Sequence, residues 1–281
     1  MRLPCGAAQF LDELLSVVLP RACPLCRAVP VGRNDGFCPS CLRSFESFRP
    51  PFCSRCGAPL PEAEEDVELW CPECLTETVP ALPNVAVRAL GPYSGALRDA
   101  ILGLKYGGRV LLARPLGRLL ADRFRELFPA ASFDLLLPVP LHPARLRDRE
   151  FNQSVLLAGP LSERTGFPVE LHAVLRARDT PSQSLFTGAK RRRNLRQAFA
   201  VRDREAIRGK SILIVDDVCT TGATVRELAR ILLASGASMV AAVTLAKSLA
   251  SGRPGRPARR TDDERPTRPG ENPSHRSTHS P

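Results

Sequence analysis

At 281 residues, with 43% hydrophobic and 25% charged side chains, the chain can bury a full core and has room for one ordinary domain plus a smaller unit. This excludes a peptide too small to fold on its own core. The net charge of +11 is uneven: residues 142–210 hold 15 Lys/Arg against 7 Asp/Glu, a net +8, residues 248–281 hold 7 against 4, and the remainder is neutral. A basic segment of that kind suits a polyanion, either a small phosphate ester or a nucleic acid, and charge alone fits a solvated cationic surface equally well.

Residues 1–19 read as an N-terminal helix. Asp12 and Glu13 interrupt its apolar stretch and Phe10 to Leu19 is too short to cross a bilayer, so no membrane insertion and a cytoplasmic location are expected.

Nine of the ten cysteines precede residue 75, and eight of them form four C-x-x-C pairs: Cys23/Cys26, Cys38/Cys41, Cys53/Cys56 and Cys71/Cys74. Each pair brings two thiolates to one side of a tight turn, and two pairs supply the four soft ligands of a tetrahedral zinc ion. Gaps of 11, 11 and 14 residues leave room for short hairpins, so sequential pairing gives two tandem ribbons over residues 20–79. A cross-braced pairing uses the same ligands. Disulfides are the competing account, but regular C-x-x-C doublets without a secretory signal are a metal pattern. All ligands being cysteine, the two Zn2+ sites read as structural, and the segment is expected to depend on metal for folding. Cys5 lies outside the pattern.

From Pro80 to residue 248, strand and helix patterns alternate, which points to an α/β domain: a doubly wound, mostly parallel sheet with helices on both faces. Predicted strands are Val85–Leu90, Phe133–Pro140, Val169–Arg176, Ser211–Val218 and Met239–Ala246. Predicted helices are Gly95–Leu104, Leu111–Leu127, Gln153–Arg164 and Thr221–Ala234. Ile212–Val215 is an unbroken apolar run, as a strand buried on both faces requires, and marks the central strand. Residues 251–281 contain a single hydrophobic residue, Ala258, and are expected to form a disordered tail.

The chemistry concentrates where that central strand ends. Asp216 and Asp217 are followed by Val-Cys-Thr220-Thr221-Gly222-Ala223-Thr224 and then a helix. Ligands of open α/β sheets sit at such strand ends. Backbone N–H groups, hydroxyls and the positive end of the helix make a receptor for a phosphate dianion, and Gly222 admits close approach. Two carboxylates beside a phosphate need other partners, and ribose hydroxyls with a magnesium ion supply them, so the residue types fit a ribose 5-phosphate. A strand-to-helix turn capped by Thr220 or Thr221 accounts for the hydroxyls but not for the acid pair.

The run Val215-Asp-Asp-Val-Cys-Thr-Thr-Gly-Ala-Thr224 resembles the phosphoribosyl pyrophosphate signature of type I phosphoribosyltransferases. That resemblance implies that Asp216 and Asp217 hold the ribose in a catalytic role, and that Thr220, Thr221, Gly222, Ala223 and Thr224 bind the 5-phosphate. Two further segments, Leu137 to Ser154 and Arg176 to Phe199, resemble the ComF family, which pairs a double zinc ribbon with such a domain. The resemblance places Arg145 and Arg149 at the pyrophosphate, and Arg176, Gln183, Arg192, Arg193 and Asn194 in a hood over the substrate. Lys105, in Leu104-Lys-Tyr106-Gly-Gly-Arg109, matches a family signature without a derived role. Where the family reads Arg-Gly-Phe-Asn-Gln, Glu150 replaces the glycine, and a positive φ there would strain it. His142 is expected at the rim of the site rather than as a base.

The implied activity is pentosyl transfer from magnesium-bound phosphoribosyl pyrophosphate to an acceptor that the sequence does not name. The family's association with competence implies a second possibility, an accessory protein binding single-stranded DNA or DNA-uptake proteins, with a regulatory or vestigial phosphoribosyl site. A third is an adaptor that docks a partner through its ribbons.

Overall fold

The computed structural model describes residues 22–28, 36–60, 70–71, 74, 85–129, 131–178 and 198–249. The helix expected over 1–19, Cys5, the hood positions Gln183, Arg192, Arg193 and Asn194, and the tail 251–281 lie outside the described residues. The first elements are α1 (Pro39–Ser44), β1 (Val85–Pro92), α2 (Gly95–Tyr106), a 3-10 turn (Val110–Leu112), α3 (Ala113–Asp122) and α4 (Phe124–Leu127). They are followed by β2 (Leu135–Pro138), α5 (Pro143–Arg149), α6 (Gln153–Thr165), β3 (Val174–Arg176), β4 (Phe199–Val201), β5 (Ser211–Cys219), α7 (Ala223–Ala234) and β6 (Met239–Lys247).

The main sheet is four-stranded and parallel throughout, in the order β1-β6-β5-β2. Parallel pairing requires crossover connections, and these lay helices on both faces. Along β5 the side chains alternate accordingly: Leu213 and Val215 join the cluster built from α2, α3, α4 and α6, while Ile212 and Ile214 join the one built from α7 and the β3–β4 hairpin. The expected α/β architecture, with β5 in the sheet interior, is therefore present.

Boundaries differ from the sequence expectation where side chains find other partners. Phe133 leaves the strand for an aromatic cluster, with ring centroids 6.3, 5.7 and 6.0 Å from Phe124, Phe128 and Phe167. The strand expected over Val169–Arg176 is interrupted because Glu170 folds back to accept the amides of His172 and Ala173. Val169 keeps an isolated parallel bridge to Leu136 of β2, and Val174–Arg176 forms a strand that pairs antiparallel with β4.

The first cysteine ribbon shares the main core. Phe37 and Phe45 pack edge to face at 5.0 Å, inside the same buried cluster as Leu97, Ile101 and Leu116. The Phe48 amide donates to Leu90 O at 2.8 Å, so the chain leaving this ribbon is hydrogen-bonded to β1. The second ribbon forms a small cluster of its own around Cys53, Cys71 and Cys74.

Candidate functional site

The eight cysteines gather as two groups, Cys23/Cys26/Cys38/Cys41 and Cys53/Cys56/Cys71/Cys74, with the sulfurs of each group within 4.8 Å of one another. This is the sequential arrangement. Sγ–Sγ separations of 3.6 Å for Cys26–Cys38 and Cys56–Cys71 fit a zinc tetrahedron, whose edge is roughly 3.8 Å for Zn–S bonds of about 2.3 Å. Amide N–H groups point at the sulfurs: Cys38 N to Cys23 Sγ at 3.5 Å, Cys71 N to Cys53 Sγ at 3.3 Å. The Cys56 thiol and neighbouring amides hold Cys53 down at about 4 while the bond to Cys53 pushes Cys56 up, so metal binding at this group would release protons. The donor set fits structural zinc, with four sulfurs and no other ligand type.

The acid pair sits at the carboxyl end of β5, beside the end of β2, where Pro138 pairs with Val215. Adjacent residues on a strand diverge, and the two carboxylates have different partners. Asp217 is buried, and its Oδ2 lies 2.8 Å from the ammonium of Lys105, in the last turn of α2. Burial disfavours that ammonium, but the Asp217 carboxylate outweighs it and the Lys105 pKa moves up. Asp216 Oδ1 accepts from Ser154 Oγ at 3.2 Å and from the Asp217 amide at 2.9 Å. Burial, and after it the Asp217 charge, push Asp216 up to about 7 against the pull of Lys105, that amide and Ser154. One acid is thus neutralised by a resident cation, and the other titrates near neutrality.

Beyond the acids the chain turns into α7. Neither Thr220 nor Thr221 caps it: Gly222 takes the N-cap position at φ 70° and makes no side-chain cap bond. The helix starts two residues later than expected because the left-handed glycine, a conformation that L side chains avoid, makes the turn. The half-buried Thr220 and the exposed Thr221 precede the helix start, with Ala223 buried and Thr224 half-buried in its first turn, at the positive end of the helix that suits an anion.

The loop after β2 carries the arginines. His142 caps α5, its Nδ1 accepting the Ala144 amide at 3.3 Å, and so serves the helix rather than a base function. Arg145 and Arg149 lie on α5, and the Arg149 guanidinium stands 5.0 Å over the Tyr106 ring and 3.4 Å from Gln153 Oε1. Asn152 ties the next helix to this loop, donating to Val139 O at 3.0 Å while its Oδ1 caps the Ser154 amide. Glu150 closes α5 at φ 65°, ψ −10°, the left-handed conformation anticipated for the missing glycine. An L residue held there costs about 1–2 kcal/mol. Of the hood, Arg176 is described: it is buried, with its guanidinium 5.5 Å over Phe199.

Among the predicted residues the fold brings Asp216, Asp217 and the 220–224 loop together at the end of β5, with the loop carrying Arg149 beside them. Two residues complete the acid pair's environment without having been assigned to it: Lys105, singled out without a role, and Ser154. A helix opening directly after the arginine segment was the available signal for Ser154.

Comparison with known proteins bears on each part. Residues 14–79 match the double zinc ribbon domain, and residues 151–268 match the phosphoribosyl transferase domain. The chain is 34% identical over 236 residues to the "DNA utilization protein YhgH" of Shigella flexneri, covering 83% of this chain and all of that one. It is 28% identical to "Competence protein F" of Haemophilus influenzae over 80% of this chain and 96% of the relative. It is 26% identical to "Competence protein ComFC" of Bacillus subtilis over 76% and 85%.

Proposed function

The chain belongs to the ComF family, and on that footing we propose that the end of β5 binds phosphoribosyl pyrophosphate, carried with Mg2+, for transfer of its phosphoribosyl group to an acceptor. The observation that carries this is the glycine-started N-terminus of α7 beside an acid pair with two different partners. In this reading the amides and hydroxyls of Thr220, Thr221, Gly222, Ala223 and Thr224 receive the 5-phosphate, and Asp216 and Asp217 accept the ribose hydroxyls. Arg145 and Arg149 face the pyrophosphate with guanidinium forks suited to phosphate oxygens. The Mg2+ belongs to the ligand: with Lys105 on Asp217 Oδ2, the ion is carried by the ligand's own oxygens.

The reaction is displacement at C1. The C1–O bond breaks, its electron pair leaves with pyrophosphate, and a nitrogen lone pair forms the new bond. Asp216 and Asp217 stabilise the positive charge that develops on the sugar, so no covalent nucleophile is needed. Eight cysteines kept as metal ligands suit a reducing, cytoplasmic setting.

Calorimetric titration of the zinc-loaded chain with phosphoribosyl pyrophosphate and Mg2+ tests this. Saturable binding, lost in Asp216→Ala/Asp217→Ala, is the expected result. Ribose hydroxyls favour the ionised Asp216, so affinity should rise with pH up to about 7 and level off above it. Absence of binding in the wild type would overturn the reading.

One observation favours a second role. The exposed Tyr106 ring beneath Arg149, with Arg145 and the exposed Arg147 on the same helix, offers stacking and charge to single-stranded DNA, and relatives carry the names quoted above. DNA affinity falling steeply with salt, and unaffected by the double aspartate variant, would establish that role beside or instead of the first.

A further inference from the structure

The segment Lys105–Arg109 makes three contacts with three parts of the molecule. Lys105 holds Asp217 at 2.8 Å. Tyr106 lies under Arg149 at 5.0 Å. Arg109 donates from Nη2 to Pro24 O and, at 2.7 Å, to Leu25 O, the two carbonyls inside the Cys23-x-x-Cys26 turn. Its side chain reaches them by lying back across α2: a Cβ on Gly103 would stand 3.2 Å from Arg109 Cδ, and the Arg109 amide returns to Gly103 O at 3.2 Å. Gly107 and Gly108 join the two cationic residues, with Gly108 at φ 61°. The Gly107 and Arg109 amides, both on Gly103 O at 3.0 and 3.2 Å, tie this flexible pair to α2, and the Arg109 side chain ties it to the ribbon.

We infer that Arg109 is a positioning residue through which the first zinc turn fixes Lys105 on the acid pair, so that metal occupancy in the first ribbon governs ligand affinity at the end of β5. The carbonyls of Pro24 and Leu25 converge on one guanidinium only while the Cys23–Cys26 turn is closed, and zinc closes it. Opening that turn releases Arg109, frees the glycine turn, and leaves Lys105 without a fixed place opposite Asp217. Among the described residues, the second ribbon is linked to β1, where Arg88 Nη1 reaches Cys53 O at 3.4 Å. Coupling of this kind is reciprocal: ligand at the acid pair must stabilise zinc in the first ribbon by the same factor.

The ligand here is the one proposed above, and the test separates the two ideas. Zinc-loaded full-length chain is titrated with phosphoribosyl pyrophosphate and Mg2+ as wild type, Arg109→Ala, Arg109→Lys, Lys105→Ala and the Lys105→Ala/Arg109→Ala pair. Arg109→Ala should weaken binding roughly tenfold, within the usual range for coupled sites. Arg109→Lys, which keeps a donor for the two carbonyls, should recover most of the loss, and the pair should bind no worse than Lys105→Ala alone. Ligand should also slow alkylation of Cys26 under chelator. Wild-type affinity in Arg109→Ala, or additive losses in the pair, would overturn the inference. Amide exchange over residues 105–109 and 216–219 gives a ligand-free arm, expected to speed up in Arg109→Ala. If wild type binds no ligand yet exchange responds, the ligand reading fails and the coupling stands; if exchange is unchanged, the coupling fails.

Discussion

The two cysteine turns are built alike and used differently. In both, the residue after the second cysteine takes a left-handed conformation, Arg27 at φ 63° and Gly57 at φ 71°, and its amide returns to the first cysteine's carbonyl at 2.8 and 2.9 Å. Arg27 is exposed and tolerates the strain, whereas Gly57 is pressed so closely on β1 that a Cβ would stand 2.0 Å from Val87 O. The first ribbon is joined to the domain by buried phenylalanines and by Arg109; the second is joined by close backbone approach to β1, by the half-buried Arg88, whose guanidinium stands 5.4 Å over Phe52, and by the partly buried Phe52 at the edge of the main core. Similar cysteine turns therefore serve two kinds of attachment, one through buried rings in the core and one mainly along β1, with Phe52 at the core's edge.

The largest effect that would break this contrast is in the core. Phe37→Ala should cost about 3–5 kcal/mol in urea unfolding of the zinc-loaded protein, the usual price of a buried ring, and should destabilise the main domain itself. Leu60→Ala in the second ribbon, which is only partly buried, should cost about 1 kcal/mol and leave the main transition in place. Next comes Gly57→Ala, expected to cost about 3 kcal/mol from overpacking and backbone strain together, while Arg27→Ala, with the same φ and open space, changes stability by less than about 0.5 kcal/mol. A cost for Gly57→Ala of only about 1–2 kcal/mol, the backbone strain alone, would mean that the second ribbon does not rest on β1. Under chelator, the exposed Cys26 should be alkylated before the half-buried Cys56, as read by peptide mass. The smallest effect is a gain: Arg27→Gly should add about 0.5–1 kcal/mol by relieving the left-handed strain.

Much of this was legible in the sequence, for reasons that particular residues make plain. The cysteine doublets and the stretch from Ile212 to Thr224 are linear, so spacing and residue type were enough to place them. The strained turn at Glu150 was legible because one substitution stood against a motif. The partners of the acid pair were not, because Lys105 and Ser154 reach the end of β5 from helices far away in the chain. The choice between sequential and cross-braced cysteines likewise needed three dimensions. Helix and strand ends were missed where a side chain competed with the backbone, as Glu170 does, or where a glycine displaced an expected cap, as Gly222 does. Arg109 read only as the end of the family-like segment around Lys105, and its reach to the Cys23–Cys26 turn needed three dimensions.

The Lys105–Asp217 pair also bears on how a polyanion first meets the protein. With one carboxylate cancelled by an ammonium and the other half protonated near neutral pH, the acids project little negative potential into solvent. An approaching anion is drawn by the arginines of α5 and senses the carboxylates only at hydrogen-bond range, once water has left. Encounter should therefore be fast and sensitive to ionic strength, while discrimination between a ribose and other phosphate esters takes place late, at short range, and is largely indifferent to salt.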